Sequence, residues 1–272
     1  MPTDSSLPAL IVIPARYASQ RFPGKPLTGL RGAGGQVKPL IQRAWEAAVA
    51  VPGGHRVVVA TDDDRIAGAA EAFGAEMVMT SQNPRNGTER CAEAHAALGG
   101  GYELVVNLQG DAPLTPPWFI PALLEALAAD PGAAMATPVL RCDGAQRAAL
   151  LADRAAGRVG GTTAVFGADG RALYFSKEVI PHTPAQFASN APTPVFHHVG
   201  LYAYRADALA AYPDLPEGRL ERLEGLEQLR FLEAGRAIAC AEVEPQGRPF
   251  WEVNNPPDVA IVERMLAEAG VA

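Results

Sequence analysis

Arg16, Arg21 and Lys25 fall within ten residues of one another in VIPARYASQRFPGKPL (Val12–Leu27), interleaved with Pro14, Ser19, Pro23 and Gly24. Guanidinium groups suit bidentate contacts to phosphate oxygens, and a lysine ammonium adds a movable point charge. Backbone amides of a Pro/Gly-rich turn supply further donors. The chemistry this set fits is the cradling of a triphosphate. A solvated basic loop is the plainer alternative.

Two further stretches carry candidate chemistry. In VVNLQGDAPL (Val105–Leu114), Gln109, Gly110 and Asp111 follow an apolar run and precede a turn at Pro113. Asp111 fits a hard cation such as Mg²⁺, which is commonly held by one or two carboxylates together with substrate phosphates. A lone aspartate after a strand also caps the next element. Gln109 can donate to a ligand, and Gly110 lets a ligand come close to the backbone. In NGTERCAEA (Asn86–Ala94), Asn86, Gly87, Thr88 and Glu89 read as a helix start. Its amides, with Arg90, offer a site for a base or ribose, although capping accounts for the same residues. His197 and His198 adjoin VGLYAYR, and successive strand residues face opposite sides, so at most one of them faces a given pocket. Gly-x-Ser-x-Gly and HExxH are absent from the sequence, as is any other nucleophile or zinc signature.

Positioning these residues requires a sheet. Short β-branched runs at 9–13, 56–60, 76–80, 104–108 and 134–139 alternate with helical patterns at 39–50, 63–73, 87–98 and 116–129. That alternation predicts βαβ units and a parallel sheet, with the basic loop and Asp111 at its C-terminal edge, where ligands collect. Thr61–Asp64 (TDDD) supplies an N-cap and an acidic first turn for the second helix. GAGGQVK (32–38) reads as a flexible insertion; GxxxxGK[ST] is absent, and no GxGxxG follows a strand, so a P-loop nucleotidase and a dinucleotide dehydrogenase are not supported. Beyond about residue 140 the pattern turns to strands at 162–167, 172–176 and 199–205 joined by Gly/Pro loops, a hairpin-rich insertion over 140–205 that could form a dimer surface. Helix (219–235), strand (238–244) and helix (257–269) follow, within one domain spanning 1–272.

Composition bounds the partners. The chain has 272 residues, 48% of them hydrophobic and 19% charged, enough for a sizeable core. With 30 acidic against 23 basic residues and a net charge of −7, it lacks the broad basic face that nucleic acid or an anionic membrane requires. A local basic cluster in an acidic chain suits a small anionic ligand. Cys91, Cys142 and Cys240 are far apart and read as reduced thiols. No apolar run approaches a membrane span, and the first residues carry no signal-peptide pattern, so the expected location is the cytoplasm.

The segments PARYASQRFPGKPL, ATDDDRI, NGTER, VVNLQGDAP, ALYFS, HHVGLYAYR and LEGLEQLR occur in one order from about Leu10 to Glu263. Together they closely resemble the 3-deoxy-manno-octulosonate cytidylyltransferases, also called CMP-Kdo synthetases. The resemblance implies a Rossmann-like α/β nucleotidyltransferase with a mostly parallel, twisted sheet flanked by helices. It also implies transfer of CMP from CTP to a 3-deoxy-2-ulosonic acid, with Mg²⁺ as cofactor, in a homodimer serving lipopolysaccharide biosynthesis. Carried over by motif, Ala15, Arg16, Ser19, Arg21 and Lys25 contact the nucleotide, its phosphates above all. Asn86, Gly87, Thr88 and Arg90 hold the cytidine, and Gln109 lies between nucleotide and sugar. Asp111 binds the metal, with Arg16, Lys25 and Asp111 as the catalytic set. His198, Tyr202, Glu227 and Gln228 match the sugar-acid pocket. Four positions depart from the family pattern. Asn254 stands at the place of a second metal-binding aspartate, Thr163 at that of a strand lysine, Ala112 at that of an acidic residue and His197 at that of an arginine. A cytidylyltransferase for a modified acceptor, such as 8-amino-Kdo or a phosphonate, and a non-catalytic CTP-binding relative are the alternatives.

Overall fold

Leu10, Ile11, Val12 and Ile13 are each fully buried, so this run must be covered on both faces, as the strands of a parallel α/β sheet are. The computed structural model describes residues 8–18, 22–159, 161–183, 186–247 and 251–272. In chain order its elements are β1 (Leu10–Ala15), β2 (Gly29–Arg31), β3 (Val37–Pro39), α1 (Leu40–Val49), β4 (Arg56–Thr61), α2 (Asp64–Ala72), β5 (Glu76–Met79), α3 (Gly87–Ala97) and β6 (Leu104–Leu108). These are followed by α4 (Phe119–Ala129), β7 (Ala133–Asp143), α5 (Gly144–Ala155), β8 (Thr162–Phe166), β9 (Ala172–Ser176), β10 (Pro192–His198) and β11 (Leu201–Arg205). The last are α6 (Ala206–Ala211), α7 (Arg219–Glu224), α8 (Leu229–Glu233), β12 (Ala237–Glu242) and α9 (Asp258–Glu268). The fold is mixed α/β, as the alternating pattern predicts.

The chain divides into two compact units. The first comprises residues 1–121, 204–210 and 245–272. Its strands run β5-β4-β1-β6, all parallel, with Val12 opposite Val58 on one side and Asn107 on the other. This register sets the ends of β1 and β6 side by side. The segment 29–39 is not a flexible insertion: β2 and β3 form an antiparallel hairpin. Gly35, at φ 77°, closes its turn, and Gly32 N–H donates to the Gln36 carbonyl at 3.0 Å.

The second unit comprises residues 122–203 and 211–244. Its centre is β7, parallel to β12 and antiparallel to β10, and β10 continues through β8 to β9. Two of its elements are absent from the sequence-based expectation. Helix α5 is announced by a capping box that goes unnoticed in a stretch read as strands and loops. Asp143 accepts from the Gln146 N–H at 2.7 Å, and the Gln146 side chain accepts from the Asp143 N–H at 3.0 Å. β10 lies in the Pro-rich stretch read as a loop. The helix expected at 219–235 is two helices, because Gly225 adopts the left-handed conformation (φ 62°) and ends α7.

Between those helices lies a buried ion pair: Arg230 Nη2 meets Glu221 Oε1 at 2.6 Å and Nε meets Oε2 at 2.8 Å, with the guanidinium over the Tyr212 ring. Removing one partner of such a pair leaves the other charge desolvated. Glu221→Ala is therefore expected to cost about 3–5 kcal/mol of stability, read from the midpoint of urea unfolding. A shift of less than about 1 kcal/mol would show that water reaches Arg230.

Candidate functional site

Where β1 ends, the chain turns through the basic loop and comes back at Gly24. Gly24, at φ 69°, donates its N–H to the Tyr17 carbonyl at 3.0 Å and leads into a one-turn 3₁₀ helix beginning at Lys25. That return brings Lys25 Nζ to 2.6 Å from Asp111 Oδ2. Both side chains are about four-fifths buried, with 18% and 22% of their surface exposed. Gly110 serves this meeting within the chain itself. A Cβ there would stand 3.0 Å from the Pro14 carbonyl and 3.4 Å from Ile41 Cδ1, so the close approach is of one chain segment to another. The backbone carbonyl of Asp111 accepts from the Val253 N–H at 2.9 Å, which brings the adjacent Asn254 into the neighbourhood of Asp111. Asn254 is itself tied down: its N–H donates to Asp258 at 2.9 Å, and its Nδ2 approaches Glu252 at 3.4 Å.

The start of α3 supplies the second side of this region. Asn86 is the N-cap, its Oδ1 accepting from the Glu89 N–H at 2.9 Å, so the capping reading of this residue holds. Gly87 rests on β6, where an added Cβ would lie 3.1 Å from Gln109 Nε2 and 3.2 Å from Asn107 Nδ2. Thr88 turns inward and shares a 2.8 Å hydrogen bond with the Tyr204 hydroxyl. Arg90 is buried, bonded to Thr80 and to the Ser81 carbonyl at 3.3 Å, and lies 3.4 Å from Asp62.

Arg90 and Arg16 face one cleft of about 280 Å³, together with Tyr17, Asp62, Asp63 and Gln82. Ala15, buried, closes β1 just before it. Ser19 and Arg21 lie outside the described residues. Tyr17, Asp62 and Gln82 escape the sequence reading. For Asp62 a signal exists: Asp63 is the N-cap of α2 and Asp64 its first-turn acid, which leaves the first aspartate of TDDD without a helical duty. Tyr17 is held by contacts distant in sequence, with the Arg65 guanidinium stacked 3.3 Å from its ring centroid.

In the second unit, His198, Tyr202 and Gln228 come together. His198 Nε2 lies 3.0 Å from Thr137 Oγ1, its ring packs on Phe175 and Tyr202, and the Tyr202 hydroxyl reaches Gln228 Oε1 at 3.4 Å. The Glu227 carbonyl accepts from the Tyr212 hydroxyl at 3.0 Å. His197 points the other way, toward Gly161, as strand alternation requires.

A family model described as cytidylyltransferase matches residues 10–238. A 3-deoxy-manno-octulosonate cytidylyltransferase from Maricaulis maris is 46% identical, with 96% of this chain and 98% of the relative covered. One from Desulfatibacillum aliphaticivorans is 42% identical over 95% and 98%. A solved structure of CMP:2-keto-3-deoxy-manno-octonic acid synthetase in complex with CTP superposes with a TM-score of 0.81 at 36% identity, covering 97% of this chain and all of that one. The chain belongs to the 3-deoxy-manno-octulosonate cytidylyltransferase family.

As a cytidylyltransferase, the chain can be asked what its departures do. Thr163 does not simply replace a lysine with a gap. Its hydroxyl donates to the Glu178 carbonyl at 2.6 Å and accepts from the Ile180 N–H at 3.2 Å, so it fastens the segment after β9. Ala112 is buried, with its N–H donating to the Gln109 carbonyl at 3.1 Å, a place where a charged side chain would be costly.

Desolvation lowers His197 to a pKa of about 4 and His198, with His197 beside it, to about 3. Both are therefore neutral in the native cytidylyltransferase at pH 7. The unfolded chain binds a proton on each near pH 6.5 while the folded chain does not, so stability is full above pH 6.5 and falls as pH drops toward these lowered values. For His198 the loss at pH 5 is about 2 kcal/mol. Urea midpoints taken from pH 7 to pH 4.5 should fall more steeply for the wild type than for His198→Gln. Parallel curves would show that His198 titrates normally.

Proposed function

We propose that this chain transfers the cytidylyl group of CTP to the anomeric hydroxyl of a 3-deoxy-2-ulosonic acid of the Kdo type, releasing pyrophosphate. The observation that carries the reading is the Lys25–Asp111 pair at the ends of β1 and β6, in a chain that aligns with such enzymes over nearly its whole length. Attack of the hydroxyl oxygen on the α-phosphorus forms one P–O bond as the bond to pyrophosphate breaks, and the hydroxyl proton passes to water. The protein has little covalent work in such a transfer; positioning and charge neutralisation dominate. Lys25 and Arg16 are the cations offered to the phosphates. Arg90, fixed by Thr80 and Asp62, and the first amides of α3 are offered to the cytidine. His198, Tyr202, Glu227 and Gln228 are offered to the sugar acid. The reading places the enzyme in the cytoplasm as a homodimer.

The donor set near Asp111 fits a hard divalent cation of the Mg²⁺ class only in part. It offers one carboxylate, already engaged by Lys25, and one neutral carboxamide, Asn254. Among the described residues, no cluster of three or more His, Cys, Asp or Glu side chains could hold a metal. Asp111 and Asn254 would hold the ion alongside phosphate oxygens and water, where it would neutralise phosphate charge.

Three expectations follow from this reading. Pyrophosphate release should require both CTP and the sugar acid, and equal turnover with ATP or GTP would contradict the assignment of the α3 segment to cytidine. Lys25→Ala should lower kcat/KM by roughly 30- to 900-fold, the equivalent of about 2–4 kcal/mol for one lost electrostatic contact. Calorimetry should find Mg²⁺ binding weakly to the free protein and tightening when Asn254 is replaced by Asp; tight binding that survives Asp111→Asn would place the ligands elsewhere.

A further inference from the structure

Two of the motifs, ALYFS and LEGLEQLR, meet through one carboxylate. Glu224 is the last residue of α7, and its Oε1 accepts from the Ser176 hydroxyl at 2.7 Å and the Tyr174 hydroxyl at 3.3 Å. Its Oε2 accepts from the Lys177 N–H at 2.9 Å. Tyr174 and Ser176 share one face of β9, and the buried Phe175 between them faces the opposite way and packs on His198 at 5.0 Å between ring centroids. His198 packs on Tyr202 at 5.7 Å, and the Tyr202 hydroxyl reaches Gln228. Gln228 stands four residues after Glu224, across the left-handed turn at Gly225. Glycine is required at that turn by its left-handed backbone (φ 62°), and the Lys177 ammonium lies over it, 3.0 Å from where a Cβ would stand.

The contacts form a closed circuit: Glu224 to β9, β9 to His198, His198 to Tyr202, Tyr202 to Gln228, and Gln228 back to Glu224 through the chain. Gln228 is 2% exposed, and its Nε2 has no hydrogen-bond partner among the described residues. A buried amide left with an unused donor is costly unless another group takes the bond. We propose that Glu224 is a positioning residue for the acceptor: it fixes the separation of the Gln228 amide from the His198–Tyr202 pair, and so tunes affinity for the sugar acid without touching it. The inference rests on the assignment of His198, Tyr202 and Gln228 to the acceptor pocket.

The test is steady-state kinetics with CTP and Kdo varied in turn. Glu224→Ala, which removes all three bonds, should raise the KM for Kdo about tenfold or more while the KM for CTP stays within about twofold. Glu224→Gln, still able to accept from Ser176, and Ser176→Ala should show the same split at smaller amplitude. These two decide the matter if Glu224→Ala does not fold. A general loss of order would move both constants together, and that result, or an unchanged KM for Kdo, overturns the proposal. Gln228→Ala separates the two levels of inference. If it raises the KM for Kdo and the Glu224 variants do not, the clamp is wrong and the pocket stands. If it leaves the KM for Kdo unchanged, the pocket assignment fails and the clamp falls with it.

Discussion

The burial of Leu10–Ile13 between β4 and β6 is the constraint on which the nucleotide end of the molecule depends. A strand with no exposed face cannot slip by one residue without turning its side chains into the wrong layer, so its register is fixed along its length. With Val12 opposite both Val58 and Asn107, the chain leaves β1 and β6 at neighbouring points. The Lys25–Asp111 contact is a consequence of that placement. The loop returns through Gly24, the turn after β6 passes close over Pro14 because Gly110 has no side chain, and a lysine and an aspartate separated by 86 residues come to 2.6 Å. Two opposite charges that are mostly removed from water need each other. The free pair thus holds both side chains in position.

Legibility in the sequence followed the range of the interaction. The β1, β4 and β6 runs are readable because their burial shows as continuous apolar stretches, and the caps of α2 and α3 because Asp63 and Asn86 act within three residues. The split of α7 from α8 was equally local, yet the apolar repeat across Gly225 masked it. Helix α5 was lost to a composition judged by its neighbours, although Asp143 and Gln146 spell its start. Long-range facts were not readable from residue patterns at all. Nothing in the sequence near Lys25 names Asp111, nothing near Arg65 names Tyr17, and His198, Tyr202 and Gln228 were grouped only because the chain resembles a family. Gly110 shows the same limit: nothing near it in the sequence names the Pro14 carbonyl, which an added Cβ would meet at 3.0 Å.

The last segments of the first unit illustrate how distant residues serve that same pair. Val253, Val262 and Leu266 bury themselves with Leu30, Leu40 and Leu114, joining α9 to the β2–β3 hairpin and to the turn after Asp111. Glu263 extends the join by accepting from the Arg31 N–H at 2.7 Å. This apolar cluster holds the chain at Val253 against the Asp111 carbonyl, and the same hydrogen bond sets where Asn254 sits. The position of the Asn254 backbone near Asp111 is therefore decided by hydrophobic burial some residues away. Its chemistry is decided separately, by the exchange of a carboxylate for an amide. A backbone that fixes a side chain's place without fixing its charge leaves room for such a difference: the amide keeps an oxygen in the same neighbourhood and carries no negative charge. The carboxamide brings no negative charge of its own to set beside the Lys25–Asp111 pair.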